Sequence, residues 1–410
     1  MRVAIVVNSF PKLSETFILN KVLALRAAGA RVTVIAHAPS TDRAHFADRL
    51  VGTDGLVELA STGAVFRARE WGHAMARPRA TAALLATASR THGPGARALR
   101  AIRLALPLHS RFDIVHFETS GLALRYADAF PLLRPARLMV SCRGSAERVA
   151  PVLDPARVEP LRAMFAQVDL VHCVSHDMQR TVLALGADAS RCVVIHPAVD
   201  HHQFAPNAAT SAVPDAAGPL RLVSTGRLHW VKALDVALEA MHQLVSAGGN
   251  VRYDIIGSGP EEERLRFTIH EHELQDHVRL LGALPPSQVR ERLASADAFL
   301  LTSMSEGVSN AALEAMAMQL PVITTDVGGM SEAVTDEVNG FVVRPHDAAA
   351  IAQRIRQLQG DRTLLAAMGV RARETVCTQF GLDEQVTRFL AAYERLFHLG
   401  AATMPSRETP

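Results

Sequence analysis

Long apolar runs, paired cysteines and an excess of one charge are all missing from this chain. Its four cysteines among 410 residues form no CxxC pair and have no histidine at metal-ligand spacing, which argues against a zinc site or a disulfide framework and favours a reducing compartment. With 43 basic and 41 acidic residues, the chain as a whole carries no electrostatic signature of nucleic-acid binding. No run is long enough for a transmembrane helix, and the apolar start at Val3–Val7 is shorter than a signal-peptide core. We therefore expect a soluble, cytoplasmic protein without a nucleic-acid partner.

Apolar residues make up 49% of the chain, enough for a sizeable core in each of two domains. The first half alternates β-branched runs with helical stretches, starting with Val3–Val7, a helix that Ser14 should cap, and a strand over Arg31–Ala36. Further strands are predicted in this half at Asp113–Phe117, Leu138–Ser141 and Leu170–Val174. The small, polar, proline-punctuated stretch 206–219 indicates an interdomain linker.

The alternation then resumes, with predicted strands at Leu220–Ser224, Val251–Ile256, Val278–Leu281, Ala298–Leu301 and Pro321–Thr324. Repeated βα alternation predicts an α/β protein with two doubly wound parallel sheets, whose facing carboxyl edges would form one cleft. We predict an N-terminal domain over 1–205, a C-terminal domain over 220–383, a helix over 384–399 that crosses back to the N-terminal domain, and a disordered tail over 400–410.

Residues 61–111 are unusually basic, with nine arginines against a single acid, Glu70, and interleaved apolar residues such as Trp71. Two interpretations stay open. The segment could lie on an anionic membrane surface, or it could form a solvated helical face.

The most informative motif is SEGVSNAALEAMA, which follows a predicted strand and opens a helix. Glu306 precedes this helix and Glu314 lies in its second turn, while free amides at Ser309 and Asn310 would form an anion site. The two carboxylates could then hold sugar hydroxyls on either side of a bound phosphate. The alternative for Glu306 is an acid that merely complements the helix dipole.

A second motif, STGRLHWVK, follows the first strand of the second half. Gly226 permits a turn, and Arg227 and Lys232 place two cations at the carboxyl edge of the sheet, where they could bind a diphosphate. Solvated loop charges are the alternative. Two glycine turns, at Gly257–Gly259 and Gly328–Gly329, could carry a nucleotide or could be simple tight turns, and neither forms GxGxxG.

Together these motifs resemble retaining glycosyltransferases of family four. The segments GRL…K, GSGPE, EGVSNAALEAMA, PVITTDVGG and DEVNGFVV occur in the order typical of that family, and SFPKLSETFI, VSCRGS and HCVSHDM resemble its exopolysaccharide branch, of the colanic-acid or amylovoran kind. The resemblance implies the GT-B fold, in which two Rossmann-like domains face each other across a cleft. It further implies transfer of a hexosyl unit from a UDP- or GDP-sugar to a saccharide or polyprenol-linked acceptor, without a cofactor and without a metal ion.

Carried over by position, the resemblance implies that Arg227 and Lys232 bind the donor diphosphate and that Glu306 holds the donor sugar. It further implies that Glu314 binds the ribose hydroxyls and that the Ser309 and Asn310 amides bind the phosphates. Leu284 would lie near the base. Arg143 stands where many relatives have a histidine facing the donor sugar.

Three family glycines are replaced here by Ala233, Gln319 and Glu337. We expect a strained positive φ or a different cap at Gln319, which ends a helix.

We expect a front-face mechanism, because no protein nucleophile is evident near the donor motifs, so catalysis would rest on positioning and positive charge. A GT-B-like epimerase or phosphorylase relative and a catalytically silent nucleotide-sugar-binding subunit stay open as alternatives. The absence of GxGxxG argues against a nicotinamide dehydrogenase.

Overall fold

The computed structural model describes residues 1–51, 56–59, 78–93, 95–206 and 218–401. The chain divides into two compact units, which we call unit 1 (Met1–Ile195 with Val386–Pro410) and unit 2 (His196–Gln385). Most of the predicted linker (207–217), the start of the arginine-rich segment (61–77) and most of the predicted tail (402–410) lie outside the described residues.

Unit 1 is built on one sheet of parallel strands. Its strands are β1 (Arg2–Ser9), β2 (Arg31–Ala38), β3 (Val57–Leu59), β4 (Ile114–Phe117), β5 (Arg137–Cys142), β6 (Leu170–Cys173) and β7 (Cys192–Val194). They lie in the order β3-β2-β1-β4-β5-β6-β7, so the direction of winding reverses between β1 and β4. The central strands are buried because helices cover both faces of the sheet.

Unit 2 repeats this plan with a second parallel sheet. Its strands are β8 (Leu220–Thr225), β9 (Val251–Ile256), β10 (Val278–Leu280), β11 (Ala298–Leu301), β12 (Val322–Thr325) and β13 (Gly340–Val343). Their order is β10-β9-β8-β11-β12-β13, and the winding reverses between β8 and β11. Successive side chains of β8 point to opposite faces, with Leu222 in one buried apolar cluster and Val223 in another, so the sheet is covered on both sides.

Helices alternate with the strands in both units, as the sequence predicts. They are α1 (Thr16–Ala27), α2 (Pro78–His92), α3 (Ala96–Ala105), α4 (Ser120–Tyr126), α5 (Phe130–Leu133), α6 (Ser145–Arg148), α7 (Ala150–Leu153), α8 (Val158–Gln167), α9 (His176–Ala184), α10 (Leu234–Ser246), α11 (Glu262–Glu271), α12 (Pro286–Ala294), α13 (Asn310–Ala317), α14 (Ala348–Gly360), α15 (Arg362–Gln379) and α16 (Leu382–Ala401). Among the described residues, no helix is both long and apolar enough to cross a bilayer.

Several local predictions were wrong. Strands β3, β7 and β13 were missed, although strands of the same length, such as β10 and β11, were predicted. Ser14 does not cap α1, because a 3-10 turn over Leu13–Glu15 moves the helix start to Thr16. Gly400 and Ala401, assigned to the tail, are helical.

The boundary between the units lies ten residues earlier than predicted, at residue 195 rather than 205. Residues 196–205 belong to unit 2 because their backbone is bonded to it. The Val199 N–H donates to the Phe380 carbonyl (3.0 Å), Arg373 donates to the Phe204 carbonyl (3.1 Å), and both Val199 and Phe204 lie in the unit 2 core. The last helix joins unit 1 from Val386 onward, where its Tyr393 hydroxyl contacts His116 of β4.

All three residues that replace family glycines have left-handed backbones. The φ angles are 44° at Ala233, 62° at Gln319 and 62° at Glu337. These residues are not glycine, yet their backbones keep the left-handed conformation that favours glycine. The backbone at each of the three positions is therefore strained.

We expect Gln319→Gly to raise the free energy of unfolding by up to about 1.5 kcal/mol. The left-handed conformation costs an L-residue roughly 1–2 kcal/mol, which glycine avoids. The greater freedom of glycine in the unfolded chain cancels about 0.5–1 kcal/mol of this gain. Gln319→Ala removes the same side chain but keeps the Cβ, so it should change stability little. Urea unfolding compares the two variants, and equal stabilities would contradict the prediction.

Candidate active site

The predicted catalytic residues follow the two strands between which the winding of unit 2 reverses. Arg227 and Lys232 lie in the loop after β8, and Glu306 lies in the loop after β11. Loops that follow such neighbouring strands diverge and leave a crevice at the carboxyl edge, the usual ligand site of doubly wound sheets.

Lys232 is fixed by the loop after β8. The chain turns at Gly226 (φ 154°), and a 3-10 turn over Trp230–Lys232 directs the lysine back toward the sheet. The hydroxyl of Thr302, in the loop after β11, donates to the Lys232 carbonyl (3.0 Å) and so ties the two loops together.

Lys232 and Glu306 form an ion pair across the crevice. Lys232 Nζ lies 2.5 Å from Glu306 Oε1, and the Ser303 hydroxyl donates to the same oxygen at 2.6 Å. The two side chains are 24% and 13% exposed, so solvent screens this pair less than a surface pair. The structure therefore brings together a cation and an acid separated by 74 residues.

Arg227 lines the same cavity as Lys232. The walls of this cavity come from Ser224, Thr225, Gly226, Arg227, Lys232, Leu234, Ile255, Leu300, Leu301 and Thr302. The Arg227 side chain is exposed, and it makes no ion pair with any residue that the structure describes. Its guanidinium is therefore available for a ligand in this cavity.

The two glycine turns hold the site loops rather than presenting a broad ligand surface. A Cβ on Gly257 would overlap the Gly226 carbonyl, and a Cβ on Gly328 would overlap the Glu306 carbonyl. The loops approach so closely that the Gly329 N–H donates to the Gly307 carbonyl at 2.6 Å. The missing side chains thus allow the loops that carry the cations and the acid to pack against their neighbours.

The Ser309 amide is not free, contrary to the prediction, and its contact with a phosphate stays a prediction. Its N–H points at Met330 Sδ (3.4 Å) inside the core, and its hydroxyl caps α13 by accepting from the Ala312 N–H. Asn310 is placed as predicted, in the first turn of α13. Its Oδ1 and the Ser305 hydroxyl are buried without a hydrogen-bond partner among the described residues, so polar groups that a ligand could satisfy do occur here.

Glu314 lies in the second turn of α13, half-buried and without a described hydrogen-bond or ion-pair partner. Burial raises the pKa of this carboxyl from 4.5 to about 7. A carboxyl whose pKa is raised this strongly by burial is a candidate functional group.

Leu284 and Arg143 lie in different units. Leu284 follows β10, half-buried, and its loop is held at the same sheet edge because the Gly257 N–H donates to the Gly282 carbonyl (2.8 Å). Arg143 follows β5 of unit 1, and its role toward the donor sugar stays a prediction. Sequence reasoning missed Ser303, whose only signal is its place directly after β11, three residues before Glu306.

Family models match both halves of the chain. The model described as Glycosyltransferase Family 4 matches residues 14–203, and the one described as Glycosyl transferases group 1 matches residues 212–375. The colanic acid biosynthesis glycosyltransferase WcaL of Escherichia coli is 31% identical over 96% of this chain and 99% of its own. The amylovoran biosynthesis glycosyltransferase AmsK of Erwinia amylovora is 32% identical over 57% of this chain and 58% of its own.

Solved structures show the same fold. HepE of Anabaena, crystallised with UDP and glucose, has a TM-score of 0.74 at 16% identity and covers 96% of this chain and 99% of its own. Sucrose-phosphate synthase of Thermosynechococcus elongatus has a TM-score of 0.73 at 18% identity, covering 97% and 100%. The protein is a glycosyltransferase with the GT-B fold. It belongs to glycosyltransferase family four, since one relative above 30% identity aligns along nearly its whole length.

Proposed function

We propose that this enzyme transfers a hexosyl unit, with retention, from a nucleoside diphosphate sugar to a hydroxyl of a saccharide or lipid-linked saccharide. The observation that carries the proposal is the Lys232–Glu306 pair at the winding reversal of unit 2, beside the cavity that Arg227 lines. Two such cations can pair with the negative charges of a diphosphate, and a carboxylate can accept a hydrogen bond from a sugar hydroxyl.

In this mechanism the bond between the anomeric carbon and the diphosphate oxygen breaks while the acceptor oxygen bonds to the same face of that carbon. The acceptor proton passes to the departing diphosphate oxygen. Arg227 and Lys232 stabilise the charge that develops on the diphosphate, and Glu306 turns its carboxylate toward the sugar once the phosphate competes for Lys232.

The biological setting that we propose is the assembly of bacterial cell-surface polysaccharide. The names of WcaL and AmsK support it, because both refer to glycosyltransferases of polysaccharide biosynthesis. HepE, which binds UDP and UDP-glucose, supports a UDP-sugar as the first donor to test.

A donor screen tests the proposal. The full chain is incubated with UDP-, GDP- and ADP-sugars, with and without acceptor saccharides, and the released nucleoside diphosphate is measured. NMR of the product gives the anomeric configuration, and inversion would refute the retaining mechanism. We expect no loss of rate in a chelator, and hydrolysis or transfer from none of the donors would overturn the proposed function.

The raised pKa of Glu314 predicts that donor affinity depends on pH. The ionised carboxylate accepts hydrogen bonds from ribose hydroxyls better than the protonated form, so affinity for UDP-glucose should rise as pH increases from 6 through about 7 and level off above 8. UDP-glucose is the suitable probe because its diphosphate has no group that titrates in this range. Calorimetry in two buffers should show proton release on binding near pH 7.

Glu314→Gln is the matched control, and its affinity should be flat across the same range. The unliganded protein should respond in the opposite sense. Because the folded pKa of Glu314 exceeds its unfolded one, the contribution of this residue to the free energy of unfolding falls as pH rises from about 4.5 to 7, and Glu314→Gln should remove that loss. A wild-type affinity that does not change between pH 6 and 8 would contradict the assignment of Glu314.

We further propose that unit 1 attaches to an anionic membrane surface through α3. Arg100 and Arg103 are exposed on this helix beside Leu99, which is 63% exposed, whereas Arg97 pairs with Asp128. The arginines at 67, 69 and 77 lie outside the described residues. Basic residues beside exposed apolar ones suit binding to anionic lipid.

Vesicle sedimentation tests this attachment. The protein should sediment with phosphatidylglycerol vesicles at low salt but not with phosphatidylcholine vesicles, and high salt should release it. Reversing both charges (Arg100→Glu with Arg103→Glu) should weaken binding at least about tenfold, since each cation contributes roughly 1 kcal/mol at such a surface. Arg266→Glu, an exposed arginine of unit 2, should change nothing, and equal sedimentation of all variants would contradict the proposal.

A further inference from the structure

Unit 1 has a charged cluster at its own winding reversal, formed by Lys21, Glu118 and Arg143. Glu118 directly follows β4, and its N–H donates to the Val6 carbonyl of β1 (3.1 Å), so it lies between the two strands where the winding reverses. Lys21 of α1 and Arg143, which follows β5, both form ion pairs with its carboxylate. Ligands of doubly wound sheets bind at this position, and the mechanism above leaves it unused.

Arg143 is held in one orientation. Its Nη2 donates to Glu118 Oε2 at 2.6 Å and its Nε donates to the Glu118 carbonyl at 3.1 Å. The guanidinium also stacks over the Phe17 ring at 4.6 Å. Both hydrogen bonds use the same edge of the guanidinium, and no described residue accepts from Nη1 on the other edge. The side chain is 18% exposed, so that edge can be reached from solvent.

The cluster has more positive than negative charge in its ion pairs. One carboxylate serves two cations, and burial raises the cost of leaving a cation without a counter-charge. Burial lowers the pKa of Lys21 to about 8, which still leaves it protonated at neutral pH. Burial alone would raise the pKa of Glu118, but the neighbouring positive charges, Lys21 first, outweigh it and hold that pKa well below its usual range.

The other titratable groups around the cluster do not supply the missing negative charge at Nη1. His116 and His172 are buried, which lowers the pKa of each, and they stay neutral in a hydrogen-bonded chain with Ser141. Burial raises the pKa of Glu147, and its carboxylate accepts from the backbone N–H groups of Arg143 and Gly144. The free edge of the guanidinium is therefore suited to a carboxylate or a phosphate, which arginine binds in a bidentate manner.

We infer that unit 1 contains an anion-recognition site in which the Nη1 edge of Arg143 binds a carboxylate or phosphate group of a sugar substrate. Glu118, neutralised by Lys21, holds the guanidinium for this contact. The choice of a sugar as the carrier of the anion rests on the proposed function, whereas the anion site itself rests on the geometry of unit 1.

Binding of small anions to the full chain tests the site. The probes are glucuronate for the carboxylate, glucose 1-phosphate for the phosphate and glucose as the uncharged control, all at one ionic strength and followed by ligand-observed NMR. We expect at least one anion to bind more tightly than glucose, and Arg143→Gln to weaken it at least about tenfold, the usual effect of losing a charged hydrogen bond. Arg143→Lys, which keeps the charge but loses the fork, should lie between the two.

The arms identify the source of the anion. Arg143-dependent binding of glucuronate points to an acidic sugar, and Arg143-dependent binding of glucose 1-phosphate points to a phosphorylated or lipid-linked one. Arg180→Gln, an exposed arginine of the same unit, should leave both affinities unchanged. Unfolding midpoints check that each variant is folded.

Anion binding no tighter than that of glucose, or affinities for glucuronate and glucose 1-phosphate that are both unchanged in Arg143→Gln, overturns the inference. If transfer activity is present in that case, the proposed function stands. If anion binding depends on Arg143 but no donor is consumed, the proposed function fails and the site remains.

Discussion

Replacing Arg227 or Lys232 by alanine is expected to lower turnover at saturating donor by roughly a hundredfold or more. Both residues line the same cavity, and in the proposed mechanism each stabilises charge that grows on the departing diphosphate in the transition state. Loss of one preorganised group of this kind costs about 2–4 kcal/mol, and about 1.4 kcal/mol corresponds to a factor of ten in rate. Steady-state kinetics with the donor found in the screen measures the effect.

A conservative change at Lys232 should lower turnover less than alanine does. Lys232→Arg keeps the charge but introduces a planar fork against Glu306, so part of the rate should be lost. Arg266→Ala, an exposed arginine paired with Glu262 on α11, is the control and should keep the wild-type rate.

A second variant separates catalysis from stability at Lys232. Removal of the lysine leaves the Glu306 carboxylate without its ion pair, which alone could lower activity. The double variant Lys232→Ala with Glu306→Gln removes that unpaired charge, so its stability should recover relative to Lys232→Ala. Because Glu306 is itself proposed to hold the sugar, turnover of the double variant is compared with that of Glu306→Gln alone and should be lower. Wild-type turnover in both alanine variants would contradict the role of the two cations.

Gly328→Ala should destabilise unit 2 by about 1–4.5 kcal/mol and also abolish most turnover. The figure combines a net backbone term of up to about 1.5 kcal/mol for a left-handed alanine with about 1–3 kcal/mol for forcing a methyl into a packed contact. The φ of Gly328 is 61°, and its Cβ would overlap the Glu306 carbonyl, so the loop with the proposed sugar-binding acid must move. A displacement of about 1 Å at reacting groups can cost a hundredfold in rate.

Gly282→Ala is a matched control, because Gly282 has a similar φ of 71° and nothing within 4 Å of a built Cβ. It should lose only the net backbone term, up to about 1.5 kcal/mol, because the lower freedom of alanine in the unfolded chain offsets part of the left-handed cost. Urea unfolding compares the stabilities of Gly328→Ala and Gly282→Ala, and steady-state kinetics compares their turnover. Equal stability and equal turnover of the two variants would contradict the prediction that close packing of Gly328 positions the Glu306 loop.

The arrangement of the site could be predicted in part from local patterns. A strand followed by Gly226, Arg227 and Lys232, and another followed by Glu306, place these residues at the same edge of any parallel sheet. Their contact depends on β8 and β11 being neighbours, which the order of the strands decides and no local pattern encodes. The sequence therefore predicted that Lys232 and Glu306 lie at the same sheet edge, but their direct contact is seen only in the structure.

Other features escaped the sequence for the same reason. The Ser309 amide belongs to a helix start that looks open, yet Met330 from a different segment lies against it. Gly328 looks like an ordinary turn glycine until the Glu306 carbonyl is seen beside it. Each case depends on a contact between residues about 20 positions apart in the chain.

The sequence alone determined the class of fold, most strands and helices, the cations and acids of unit 2 and the resemblance to family four. These follow from periodicity and ordered motifs, which are local properties of the chain. Contacts between distant segments set the boundary at residue 195, the packing role of the glycines and the cluster of Lys21, Glu118 and Arg143. Lys21 and Glu118, which are 97 positions apart, meet in that cluster, because the order of strands in a sheet, rather than order along the chain, determines which side chains become neighbours.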